Sequence, residues 1–100
     1  MMRTANFLLA CTLAFPVVSV SAADLTPGRY LAGTCASCHG TDGKSVGSVP
    51  SLAGQSTDSL LSKIAEFKDG SRPGTIMAQI AKGYTDEQMR QIAEFFASQK

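Results

Sequence analysis

The run Cys35-Ala36-Ser37-Cys38-His39 constrains this chain more than any other feature. On a helical turn, residues three apart point to nearly the same side, so the two thiols project together. His39, the only histidine in the sequence, follows at once. Two such thiols can add to the two vinyl groups of one porphyrin as thioethers, with the imidazole placed to reach the iron. C-x-x-C-H is the sequence signal for covalent attachment of a c-type haem. A thioredoxin-like dithiol needs a βαβ setting, and no stretch here alternates with period two in β-branched residues. Structural zinc needs four ligands, whereas beyond residue 23 only Cys35, Cys38 and His39 remain among Cys and His. A merely packed histidine leaves the paired thiols unexplained.

The start of the chain reads as an address. Met1-Met2-Arg3 precedes an apolar run from Phe7 to Val20, and Ser21-Ala22-Ala23 closes it with small residues. A positive start, an apolar middle and a small-residue exit describe a secretory signal peptide over residues 1–23, with the domain proper over 24–100. The alternative is an uncleaved anchor, but 17 residues from Phe7 to Ala23 sit at the short limit for a span and include Pro16. Cleavage is therefore expected, with no membrane span afterwards. Cys11 follows Leu8-Leu9-Ala10 like a lipoprotein box, yet the apolar stretch runs on past it, so Cys11 is read as filler. Secretion also supplies the compartment in which haem attachment usually occurs, here the periplasm.

Residues 24–100 form a short chain, below the size at which a bare apolar core gives comfortable stability. Two cysteines so close in sequence make no disulfide framework. A covalent haem resolves the difficulty by filling the centre of the core. Nine Lys and Arg face eight Asp and Glu, and loss of Arg3 leaves eight of each. Such a balance gives no basic excess for nucleic acid, and any docking bias must come from local patches.

The pattern beyond residue 23 is all-α: three main helices and irregular loops. Thr26-Pro27 is a cap followed by a first-turn proline, opening a helix that carries Tyr30 and Leu31 into Cys35. Residues 40–55 hold four Gly, a Pro and several Ser, the composition of a loop. A second helix begins near Thr57, with Leu60, Leu61, Ile64 and Phe67 as its apolar stripe and Gly70 at its end. Residues 71–75 are a second loop leading to Met77. Thr85 opens the last helix, with Gln88 as capping-box partner and Met89, Ile92, Ala93 and Phe96 on one face.

A haem iron held by His39 needs a sixth ligand, and there is no second histidine. Met77 and Met89 offer thioethers. Met89 belongs to a core stripe, whereas Met77 follows a Pro-Gly loop and can approach the opposite haem face. Met77 is the expected ligand; Met89, Lys82 or an open position are the alternatives. His/Met ligation closes the iron to exogenous ligands and raises the reduction potential, so it suits electron transfer, with no catalytic group on the chain itself. An open site would instead suit a haem sensor or a peroxidase-like enzyme.

With the haem motif near the start of the domain, a late Met and a final helix, residues 24–100 resemble class I cytochromes c. The resemblance implies one covalent haem and crossing first and last helices, with Gly33 and Tyr30 near Phe95 or Phe96. It also implies that the segment 49–55, Val-Pro-Ser-Leu-Ala-Gly-Gln, supplies a Pro50 carbonyl that accepts a hydrogen bond from His39 and so orients it. Thr34 to His39, Pro50 to Gln55, Phe67 to Pro73 and Met77 to Gln88 are more narrowly similar to the cytochrome subunit of flavocytochrome c sulfide dehydrogenase, in its single-haem form. That similarity implies a sulfide-oxidising flavoprotein (FAD) subunit as electron donor and a soluble redox acceptor downstream. A freestanding carrier between respiratory partners is the other reading. Arg72, just ahead of the Met77 segment, is placed to contact a haem propionate, the alternative being a solvated loop arginine.

Overall fold

The computed structural model describes residues 13–19 and 26–100. Cys11, the expected cleavage site and half of the apolar run from Phe7 to Val20 lie outside them. Residues 13–19 have no regular structure, and Leu13, Phe15, Val17 and Val18 are all exposed. The rest is helical: α1 (Pro27–Leu31), α2 (Gly33–His39), α3 (Thr57–Asp69), α4 (Thr75–Lys82) and α5 (Asp86–Ala97), with one 3₁₀ turn at Thr41–Gly43. No strand occurs among the described residues.

The helix ends follow from local chemistry. Thr26 caps α1, its side chain accepting from the Arg29 N–H, and Pro27 occupies the first turn. Ala32 alone separates α1 from α2, with right-handed φ −69° and ψ −10°, so the expected first helix is present as two nearly continuous pieces. Ser56 caps α3, and Gly70 ends it at φ +83°, a left-handed conformation that glycine adopts without penalty. Thr85 and Gln88 form a reciprocal capping box on α5, with bonds of 2.9 and 3.1 Å.

Helix α4 departs from the three-helix expectation. Its first residue follows Gly74, which has no side chain to cap it, so the sequence carries no start signal. Packing on α3 replaces that signal. A Cβ at Gly74 would come within 2.7 Å of the Phe67 ring, and Ala81 on α4 is fully buried. Met77 accordingly stands on a helix rather than on a loop.

The core is the meeting of α5 with α1 to α3. Ala32, Leu60, Met89, Ile92, Ala93 and Phe96 are buried together, and Leu31, Cys35, Leu52, Leu61, Ile64, Tyr84 and Phe95 pack around them. Phe96 is 1% exposed, a burial that stabilises by about 2 kcal/mol. The Phe95 and Phe96 rings meet edge to face at 5.3 Å.

The α1–α5 crossing is present, but it is made by other residues than expected. Gly28, not Gly33, is the point of closest approach: a Cβ there would lie 2.4 Å from the Gln91 carbonyl oxygen and 3.2 Å from Phe95 Cβ. A Cβ at Gly33 would meet nothing within 4 Å, and Tyr30 is 88% exposed. The short helix turns its Gly28 face, not its Tyr30 face, toward α5. Arg29 closes the junction by lying over the Phe95 ring at 5.7 Å and approaching Asp42 at 3.7 Å.

Candidate haem-binding site

Helix α2 brings the two thiols and the imidazole together at its C-terminal end. Cys35 is half-buried against the core and Cys38 is exposed, and neither is in a disulfide. Burial pushes the Cys35 thiol above its ordinary value, partly offset by a hydrogen bond from the Thr34 side chain. Thr34 is itself held, bonding the Leu31 carbonyl and the Tyr84 hydroxyl. That last contact ties the start of α2 to the α4–α5 junction.

His39 ends α2, and Gly40 turns the chain away at φ +89°. The His39 Nδ1 lies 2.6 Å from the Pro50 carbonyl oxygen. A carbonyl can only accept, so Nδ1 carries the proton and donates, which leaves Nε2 with its lone pair for a metal. The donor set fits a haem: two thiols on one turn for the vinyl groups, and an imidazole in the tautomer that coordinates through Nε2.

The loop that supplies Pro50 is stitched down at several points. The Gly43 carbonyl accepts from the Leu52 and Ala53 N–H groups at 2.8 and 3.1 Å, and Gly54 N–H donates to the Phe96 carbonyl at 3.0 Å. Gly43 has to be glycine: its φ is +79°, and a Cβ would lie 2.6 Å from the Phe96 ring. Ser45 N–H donates to Ser51 Oγ at 2.9 Å. Gln55 donates through Nε2 to the Ser51 carbonyl at 2.6 Å and accepts from Lys63 Nζ at 2.5 Å. The Gln55–Lys63 pair was not legible as a pair in the sequence, where Lys63 is one charge beside the apolar stripe of α3.

On the α4 side, Met77 is half-buried and Ile76 is 69% exposed. Met89 is 4% exposed within the core, and Lys82 is exposed at the end of α4. Arg72 folds back on α3: its Nε donates to Glu66 Oε2 at 2.6 Å, and its guanidinium lies over the Phe67 ring at 5.8 Å. Phe67 is thereby held between Arg72 and Gly74, which fixes the turn leading into α4. A cavity of about 610 Å³ opens between α2 and the following loop, lined by Cys38, Asp42, Lys44, Val46 and Val49 among others. It includes neither Cys35, His39 nor Met77, so by itself it is not the haem seat. Among the described residues, no helix is long and apolar enough to cross a membrane.

The comparisons agree with this chemistry. The family model described as Cytochrome c matches residues 26–100. The chain is 45% identical over 71 residues to the cytochrome subunit of sulfide dehydrogenase from Chlorobaculum tepidum, a match spanning 71% of this chain and 64% of that protein. It is 40% identical over 83 residues to cytochrome c-554(548) from Halomonas halodenitrificans, covering 79% of this chain and 100% of that one. A solved cytochrome c4 from Acidithiobacillus ferrooxidans superposes with a TM-score of 0.61 at 41% identity, over 64% of this chain and 37% of the other. With a C-x-x-C-H motif on one helical turn and a family match over the whole helical domain, the chain belongs to the cytochrome c family and carries covalent haem c.

Proposed function

We propose that this chain is a periplasmic one-electron carrier, with Cys35 and Cys38 as thioether anchors and His39 and Met77 as the axial ligands. Bound haem supplies an iron that alternates between the ferric and ferrous states. The observation that carries the reading is the 2.6 Å contact from His39 Nδ1 to the Pro50 carbonyl, because it commits Nε2 to the remaining partner. Met77 is preferred to Met89, which is spent on the core, and to Lys82, whose ammonium must first lose a proton and its hydration. A thioether and an imidazole together favour the ferrous state and leave no position for exogenous ligands. Arg72 keeps N–H groups beyond the one on Glu66, and we assign one of them to a haem propionate.

Residues 1–23 act as the export signal in this proposal, and residues 24–100 as the working domain. The electron donor is a sulfide-oxidising flavoprotein subunit, with a soluble redox protein as acceptor. Similarity to the cytochrome subunit of sulfide dehydrogenase supports this partner. The chain spans less than two thirds of that relative and 37% of the matched cytochrome c4, so the assembly is a proposal about this chain and not a property of its relatives. A freestanding carrier is the second reading, favoured by the full coverage of cytochrome c-554(548).

The test has two stages. Purified exported protein should keep its haem on the polypeptide through acid–acetone extraction; colour that leaves with the solvent refutes covalent attachment. Sulfide-reduced flavoprotein should then reduce the holoprotein and co-elute with it. Holoprotein that neither binds nor accepts electrons from the flavoprotein favours the freestanding carrier.

A further inference from the structure

Gln55 makes no hydrogen bond to Cys35, Cys38 or His39, yet its amide joins the Pro50 loop to α3. Lys63 Nζ lies 2.5 Å from Gln55 Oε1, and Gln55 Nε2 lies 2.6 Å from the Ser51 carbonyl oxygen. The orientation of the amide is fixed by chemistry: an ammonium only donates, so the oxygen faces Lys63 and the N–H faces Ser51. Ser51 is the residue after Pro50, and its side chain is held separately by Ser45 N–H at 2.9 Å. The Pro50 carbonyl in turn accepts from His39 at 2.6 Å.

We propose that Gln55 is a positioning residue for His39. Anchored by Lys63 on α3, it holds the Ser51–Leu52 peptide from the side opposite the Leu52 N–H that donates to Gly43. It so limits rotation of the neighbouring Pro50–Ser51 peptide and the direction in which the Pro50 carbonyl points. A carbonyl free to swing weakens the His39 bond, because hydrogen bonds fail steeply as they bend. The imidazole then gains freedom to rotate about its Cβ–Cγ bond. The loop itself survives loss of Gln55, since Gly43 still accepts from Leu52 and Ala53. The proposal rests on His39 being the iron ligand.

The test is proton NMR of the reduced, diamagnetic holoprotein, reading solvent exchange of the His39 Nδ1 proton beside the amides of α5. Gln55→Glu keeps a partner for Lys63 but loses the N–H donated to Ser51. It should speed Nδ1 exchange about tenfold, roughly the equilibrium weight of one hydrogen bond, with α5 amides unchanged. Exchange within twofold of wild type overturns the proposal, and so does an equal acceleration in α5, which marks general loosening. If Gln55→Glu yields no holoprotein, Gln55→Met decides on the same readout. Absence of porphyrin ring-current shifts on the His39 ring protons of the wild type would overturn the ligand reading instead.

Discussion

Gly28 and Gly33 lie five residues apart on the same helical stretch, yet adding one methyl group to each should act in opposite directions. At Gly28 the new Cβ would sit 2.4 Å from the Gln91 carbonyl oxygen and 3.1 Å from its carbon. Both are backbone atoms of α5, so no rotamer change relieves the overlap and the two helices must separate. Overpacking costs about 1–3 kcal/mol, and an unyielding backbone contact belongs at the upper end. Alanine returns up to ~1 kcal/mol of helix propensity, leaving a net loss of about 2 kcal/mol. For a domain of this size, that lowers Tm by about 8–16 °C. At Gly33 nothing lies within 4 Å, so Gly33→Ala should be neutral or should raise Tm by a few degrees. Thermal unfolding of the two holoproteins, followed by far-UV circular dichroism, makes the comparison. Equal destabilisation at the two positions, or a larger loss at Gly33, would refute the crossing described here.

Met77→Ala should lower the reduction potential and let carbon monoxide or cyanide bind the iron; a variant that keeps the wild-type potential and stays closed moves the ligand elsewhere. Arg72→Ala removes the Glu66 pair and the contact with Phe67, costing about 1 kcal/mol or less because the group is partly exposed. Its reduction potential across pH tests the propionate assignment, which an unchanged profile would exclude. The Arg90 guanidinium holds the Glu87 carboxyl below the usual carboxylate range. The stability this contributes is present at neutral pH and is lost as acid protonates the group. Glu87→Gln should therefore be less stable than wild type at pH 7 at low salt and indistinguishable from it at the acid end. Denaturant titrations at the two pH values check this, and a difference that persists in acid would point to another cause.

What could be read in advance was local. The thiol and imidazole spacing, the Thr26-Pro27 start, the Thr85–Gln88 box and the α5 stripe are each written within a few residues, and each reappears in the structure. Helix α4 was missed because its support is the Phe67 ring and the burial of Ala81, contacts made across the fold with no cap to announce them. The resemblance implied Gly33 at the crossing, but which face of a one-turn helix meets α5 is set by packing. Five residues do not specify a face, and the contact falls at Gly28. Gln55 stood in the legible loop, but its role needs Lys63 eight residues on, at a distance only the packed α3 defines.

Phe96 serves the fold with its side chain and its main chain at once. Its ring abuts Gly43, and its carbonyl receives Gly54, so both ends of the segment that aims at His39 are moored to the same residue. Because α5 follows every other helix along the chain, the segment is moored only once the final helix has packed. Packing of that helix turns a flexible tether into a rigid mount, so whatever loosens the C-terminal end of the fold also frees the carbonyl that faces His39.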